Sequence, residues 1–432
     1  MPINIKRTIQ FLLIIVSIIA TVFAVNIHNG QQAINKNTVN STDLVKEKFN
    51  IHYIDDSDNP LSLSQINKLP SGMYADASKK LHSPDSLVFS VWYRVNLKGG
   101  VNPLSSAFSV TVDNPTLDSI TFYLLEKGAV VQTKRVGDTT FSKNNLDYVV
   151  PQMNIYDGFQ RDQSIYIHIE TNGASASPII IELIEDSQLR SSAQLMLIGC
   201  FIGGVLILII YHYIMFKGIG DPSHFNYIGY IAFPGFTISL INGFSFYVFP
   251  FEVARWFNNH LMITHFIGLI FALKFAISFL RFDKIKPWFV NIGMMASKVI
   301  LVFAFSALYF TEATLTPVYF AAVLFVYVYV ISLMSMVISS RLMWVRYYLL
   351  SWLPLFVGVG IGIAAFNGGV PYNFLTRNAA LLGVLAEICI MSIALMDRFR
   401  ANEVDRDYRT KHDPVTGLPN KAALEPVIKK LV

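Results

Sequence analysis

From about residue 195 to residue 396 the chain is almost continuously apolar, and no other feature constrains its fold so tightly. A helix rises about 1.5 Å per residue and the hydrocarbon core of a bilayer is about 30 Å thick, so a crossing needs about 20 apolar residues. Seven segments meet that length: 195–216, 225–243, 259–280, 288–310, 317–337, 347–366 and 378–396. Lipid offers no hydrogen bonds to a backbone, so each such segment must be helical. Hydrophobic residues make up 53% of the chain and charged residues 15%, against about 25% charged in soluble domains. The excess is confined to this block and a short one at 9–25. Between them, residues 26–190 have the composition of a water-exposed domain.

The first apolar block comes after Lys6 and Arg7. It is a signal peptide cut near Val22-Phe23-Ala24 or an uncut anchor, and on both readings of 1–25 the domain at 26–190 is exported. Seven crossings that begin outside end inside. Loop charge agrees: the expected inner loops hold Lys217, then Arg281, Lys284 and Lys286, then Arg341 and Arg346. The expected outer loops hold Arg255 and Arg377, and the tail adds Arg398, Arg400, Arg406 and Arg409 on the inside. The net charge of +5 is therefore a matter of topology, and no nucleic-acid partner is expected. Cys200 and Cys389 both fall in spans, so the exported domain has no disulfide, and no metal site is expected.

Within 26–190 the period is two. Ile120, Phe122 and Leu124 alternate with Thr121, Tyr123 and Leu125, and Ile165, Ile167 and Ile169 with Tyr166, His168 and Glu170. Further runs at 87–97, 108–112, 148–150 and 179–184 are separated by Gly99-Gly100, Asn114-Pro115, Lys127-Gly128, Asn144-Asn145 and Asn172-Gly173. Short alternating strands at this spacing predict a β-sandwich. Trp92 and Arg94 share a strand face, and an aromatic beside a guanidinium can bind a sugar or a carboxylate. With Asn114 and Tyr123 they form the candidate ligand set. The alternative is that Trp92 is core, Arg94 pairs with a buried acceptor and Asn114 belongs to a turn.

Charges at bilayer depth face the interior of a bundle. Glu387 lies nine residues from either end of its span, and Lys298 ten residues into its own, so the two are at matching depth and could pair. Such a pair would break or shift on signalling; the alternatives are a static pair or a neutral Glu387 hydrogen-bonded to backbone or hydroxyls. Lys274 lies six residues from the inner end of its span, about 9 Å at the helical rise, where it could snorkel, and His212, His265 and Asn242 complete the intramembrane polar set. One carboxylate is too few for a proton relay, and no internal repeat points to a transporter.

Two resemblances carry the reading further. Val91-Trp92-Tyr93-Arg94-Val95-Asn96-Leu97, Asp113-Asn114-Pro115 and Ile120-Thr121-Phe122-Tyr123-Leu124 resemble the exported domain of bacterial seven-transmembrane receptors with diverse intracellular signalling modules. Tyr211-His212-Tyr213 with Asp221-Pro222-Ser223-His224-Phe225-Asn226-Tyr227, and the stretch from Asn378 through Leu385-Ala386-Glu387 to Ala394-Leu395-Met396-Asp397-Arg398, are similar to that family's membrane region. The resemblance implies an all-β, jelly-roll-like sandwich akin to carbohydrate-binding modules at 26–190, then an all-α seven-helix bundle at 195–396. It implies a multi-pass receptor of the bacterial inner membrane, a homodimer that senses a small periplasmic ligand, a carbohydrate among the candidates.

Asp413-Pro414-Val415-Thr416-Gly417-Leu418-Pro419-Asn420-Lys421 resembles the D-x-L-T-G-L-x-N-R opening of GGDEF diguanylate cyclase domains, departing at Val415 and Lys421. This implies a signalling helix at 397–412 and a truncated start of the cyclase at 413–432. The family's GG[DE]EF hairpin, metal carboxylates and guanine ligands are not among these 432 residues, so no catalysis and no cofactor are expected of the chain as it stands. His412 is followed by Asp-Pro, not by the Glu of a histidine-kinase phosphoacceptor, and no phosphate-binding G-x-x-x-x-G-K-[ST] loop is present. The rival reading is a non-enzymatic membrane interaction protein whose partner supplies the output.

Overall fold

Strand Phe89–Leu97 shows how the sequence builds the exported half. Its alternate side chains Val91, Tyr93 and Val95 are buried between two sheets, while Trp92 and Arg94 point to the opposite face. The computed structural model describes residues 48–77, 89–137, 150–171, 178–280, 286–337, 343–366, 369–413, 416–421 and 423–424. The leader at 1–25, the turns at 144–145 and 172–173, and the loop cations Arg281, Lys284 and Arg341 lie outside the described residues.

Among the described residues nine strands run in order: β1 Phe49–Asp55, β2 Ala75–Asp76, β3 Phe89–Leu97, β4 Phe108–Val112, β5 Ser119–Glu126, β6 Ala129–Val136, β7 Gln152–Ile155, β8 Gln163–Thr171 and β9 Ile179–Leu183. They form a six-stranded sheet in the order β2-β1-β3-β8-β5-β6 and a three-stranded sheet in the order β7-β4-β9. Each of these pairings is antiparallel. Phe49, Val91, Ile120, Phe122, Ile165 and Ile167 of the first sheet pack on Phe108, Val110, Met153 and Ile181 of the second. This is the sandwich the alternation predicts. β4 departs from simple alternation, with all five residues buried, because both of its faces are covered. Its second face lies toward the first turns of the membrane region, where Ser187 donates a hydrogen bond to Gln152 of β7 at 2.9 Å. The outer face of the larger sheet is covered by the short helix α1 Leu63–Ile66, whose Ile66 packs with Tyr74, Trp92, Leu125 and Tyr166.

The rest is helical: α2 Ile184–Ile219, α3 Pro222–Ile241, α4 Ser245–Val248, α5 Phe251–Asn259, α6 Leu261–Leu280, α7 Pro287–Ser306, α8 Glu312–Val337, α9 Met343–Phe366, α10 Phe374–Arg377 and α11 Ala379–Lys411. Among the described residues six of these, α2, α6, α7, α8, α9 and α11, are long and apolar enough to cross a membrane. The expected seventh crossing, α3, is 20 residues long and packs between α2 and α6. It is less apolar because its inward face carries His224, Tyr227, Tyr230 and Thr237.

Three details differ from the sequence reading. The stretch between α3 and α6 is not a plain loop but two short helices joined at Pro250. Pro317 lies inside α8 rather than at its start, within the first two turns. The helix of the last span does not stop at 396. It continues unbroken through Lys411, 33 residues in all, which at about 1.5 Å per residue is about 50 Å and exceeds the hydrocarbon thickness. α9 and α11 approach backbone to backbone: a Cβ on Gly383 would stand 2.5 Å from the Pro354 carbonyl oxygen. Small residues at such contacts are what let membrane helices pack closely.

Candidate functional site

The candidate ligand residues do not form one site. Trp92 is only 2% exposed. Its ring stacks on His168 with centroids 4.1 Å apart, and its indole N–H donates to Asp56 Oδ2 at 3.1 Å. Tyr123 stacks on its side at 5.9 Å, half-buried. The Arg94 guanidinium lies 4.7 Å above the Tyr74 ring and donates to Ser71 Oγ at 3.1 Å. These three residues share the outer face of the larger sheet, beneath α1. Asn114 belongs elsewhere, at the end of β4 in the smaller sheet. Its Oδ1 accepts from the Thr116 N–H and hydroxyl at 3.1 and 2.8 Å, the geometry of an Asx turn.

That turn sits beside a densely connected polar cluster. Asp113, one residue before it and directly after β4, has a side chain 1% exposed. Arg377 of α10 donates to its Oδ2 through Nε at 2.8 Å, and the Tyr372 hydroxyl donates to the same oxygen at 2.7 Å. Arg190 of α2 stands 3.5 Å from Oδ1 and holds Glu182 of β9 at 2.8 Å. Burial by itself would raise the Asp113 carboxyl, but the Arg377 and Arg190 guanidiniums outweigh it and hold the group below the usual carboxylate range. Glu182 goes the other way: burial raises it, even with Arg190 opposing. The cluster therefore joins the sandwich to two separate helices of the bundle through charges that are buried and paired.

From Arg377 the network continues inward. Its Nη1 reaches Asn242 Oδ1 at 3.4 Å. The Gln194 amide N–H donates to Asn242 and to Asn378, and Asn378 returns a bond to Gln194 at 2.9 Å. Asn378 immediately precedes α11. Along α11, Glu387, Met391, Leu395 and Arg398 recur at helical spacing on one buried face. Glu387 accepts a bond from the Tyr230 hydroxyl at 2.7 Å. Ser392 meets His212 at 3.2 Å and Tyr227 at 3.0 Å. His212 Nδ1 lies 3.0 Å from His224 Nδ1. Arg398 donates to Ser223 Oγ at 2.7 Å and to Asp221 Oδ2 at 3.2 Å.

The expected pair of Lys298 with Glu387 is not formed. Matching depth did not imply matching face: Lys298 lies on the exposed side of α7, while Glu387 turns inward to Tyr230. Lys274 is half-buried, with its ammonium 6.0 Å from the centre of the Phe271 ring. His212 is inside the network, whereas His265 bonds the Leu261 carbonyl of its own helix, at 3.1 Å. Sequence reasoning counted Arg377 as a loop cation and missed its partner. Asp113 and Arg377 are 264 residues apart, and no local spacing announces such a pair. Among the described residues, no three His, Cys, Asp or Glu side chains are placed to hold a metal ion.

The described residues of the tail motif, 413 and 416–421, form a turn. Asp413 Oδ1 accepts from the Thr416 N–H and hydroxyl at 2.9 and 3.0 Å, and Gly417 takes a φ of 70° that disfavours a Cβ. The Asn420 amide reaches back to the Thr410 carbonyl at the end of α11 at 2.9 Å. The residue types of the motif are those this turn needs.

Comparison with protein families bears on two stretches of the chain. The family described as 7TMR-DISM extracellular 2 matches residues 49–182, and the family described as 7TM diverse intracellular signalling matches residues 194–398. The chain carries both domains of a 7TMR-DISM receptor. It is thus a multi-pass membrane receptor with an extracellular sensing domain and an intracellular signalling role. Neither match reaches the Asp413 turn. No curated protein matches the chain. In this receptor, Asp113 and Glu182 belong to the extracellular domain, and Arg190 and Arg377 lie at the outer mouth of the membrane domain.

Proposed function

We propose that this receptor senses a small ligand outside the cell, transmits the change through the Asp113 cluster to α11, and delivers it to a diguanylate cyclase module on the cytoplasmic side. One observation carries the reading: α11 runs unbroken from the Gln194–Asn378 network to the Asp413 turn. A rigid helix that touches both ends of the relay can convert a shift at its outer end into a shift at its inner one. Val404 and Tyr408, exposed and one turn apart on α11, offer an apolar face for pairing with a second copy. By resemblance, a carbohydrate is among the candidate ligands. A sugar reaching the Trp92 ring would have to displace α1, since Ile66 packs in the same cluster.

These 432 residues contain no GG[DE]EF hairpin, so purified chain should make no cyclic di-GMP from GTP. Fusing an intact GGDEF domain after Leu431 should give a membrane protein that does. A folded fusion that is inactive under all conditions would favour the rival reading, an interaction protein whose partner supplies the output.

A further inference from the structure

At the end of the bundle away from the sandwich, α3, α6, α7 and α11 leave an open cavity of about 890 Å³. Four cations line it, Lys274, Arg398, Arg406 and Arg409, against two carboxylates, Asp221 and Glu403. Arg398 and Asp221 satisfy each other at 3.2 Å. Lys274 is different. It is half-buried, and among the described residues no carboxylate lies within ion-pair distance of its ammonium. Partial burial costs a cation its water, and an unpaired charge in a bundle is found where a cavity or a ligand supplies the compensation. Arg406, on the exposed side of α11, brings a planar fork of donors to the same cavity. Ile277 and Met294 supply an apolar wall beside them.

We propose that this cavity binds a phosphate-bearing anion, with the phosphate held between Lys274 and Arg406. Phosphate oxygens suit both donors, one a point charge and the other a fork. If the end of the bundle away from the sandwich is cytoplasmic, as the proposed function has it, the source at hand is the headgroup of an anionic inner-leaflet phospholipid, with an acyl chain along Ile277 and Met294. The bound phosphate ties α6 to the part of α11 that leaves the membrane, so lipid composition would bias the same helix that the Asp113 cluster holds from outside.

The test uses the full chain in a neutral detergent without added phosphate, so it does not depend on orientation or on any output domain. One arm titrates dihexanoyl phosphatidylglycerol and the other inorganic phosphate, each followed by calorimetry. Saturable binding is expected, weakened about tenfold or more by Lys274→Gln with Arg406→Gln. Lys217→Gln removes an exposed charge at the same end of the bundle, outside the cavity, and should change nothing. Arg406→Gln alone touches no core contact, so its weaker binding cannot be ascribed to misfolding. Binding in the lipid arm alone assigns the headgroup; equal dependence on the two side chains in the phosphate arm assigns a soluble phosphate. No saturable binding in either arm, or binding that the double substitution leaves unchanged, overturns the proposal.

Discussion

Asp113 takes hydrogen bonds from Arg377 and Tyr372 and an ion pair from Arg190, and it is buried. Its charge therefore matters to three segments at once. Asp113→Asn should leave two buried guanidiniums short of their counter-ion and destabilise the receptor by about 3–5 kcal/mol in a detergent unfolding assay, the general cost of breaking a buried pair. The pH dependence comes from the depressed carboxyl. A group held lower in the folded state than in the unfolded one stabilises above the ordinary Asp range and loses that contribution as pH falls through its folded value. Stability should thus drop below about pH 4, the ordinary Asp range, and the drop should be shallower in Asp113→Asn. Glu182, raised by burial, has the opposite sign: its contribution is present at low pH and lost as pH rises through its folded value. The two carboxylates around Arg190 therefore do not titrate together, and a melting series from pH 3 to 8 separates them.

At the scale of elements, α11 is held from inside by Tyr230 and from the side by α9. A double-mutant cycle distinguishes the observed partner of Glu387 from the one its depth suggested. Tyr230→Phe with Glu387→Gln should show a coupling of about 0.5–3 kcal/mol, the range for residues in contact. Lys298→Met with Glu387→Gln should be additive, since Lys298 faces outward. Gly383→Val should sharply lower the yield of folded protein, because its side chain would meet the backbone of Pro354. Gly360→Ala, which meets nothing within 4 Å, should not. Strand alternation and span length were legible in the sequence because periodicity and length are local properties. The faces of Lys298 and Glu387 were not, since rotation of one helix about its axis depends on neighbours that a sequence does not place. For the same reason the outer half of the relay was not legible as a network: Asn242 was singled out as a polar residue, but Gln194, Asn242 and Asn378 come from three separate segments of the bundle.

At the scale of the whole receptor, the two-layer sandwich and the seven-helix bundle are joined by buried charges rather than by a flexible linker. The order of segments was readable, and so was the ligand-site ambiguity at Trp92, which the structure places under α1. If α11 leaves the membrane on the cytoplasmic side, as the proposed function has it, an enzyme reporter active only outside the cytoplasm should be silent when fused at Val432. The central claim is that the state of the sandwich reaches the output through Asp113, Arg377 and α11. The direct measurement is cyclic di-GMP production by the chain carrying an intact GGDEF domain after Leu431, compared with the same fusion bearing Arg377→Gln at equal membrane abundance and with proven folding. Coupling between sites is commonly worth about 1–3 kcal/mol, or about 5- to 150-fold, so production in the variant should differ severalfold from the parent fusion, while Lys298→Gln leaves it unchanged. Production by Arg377→Gln that matches the parent fusion would contradict the account.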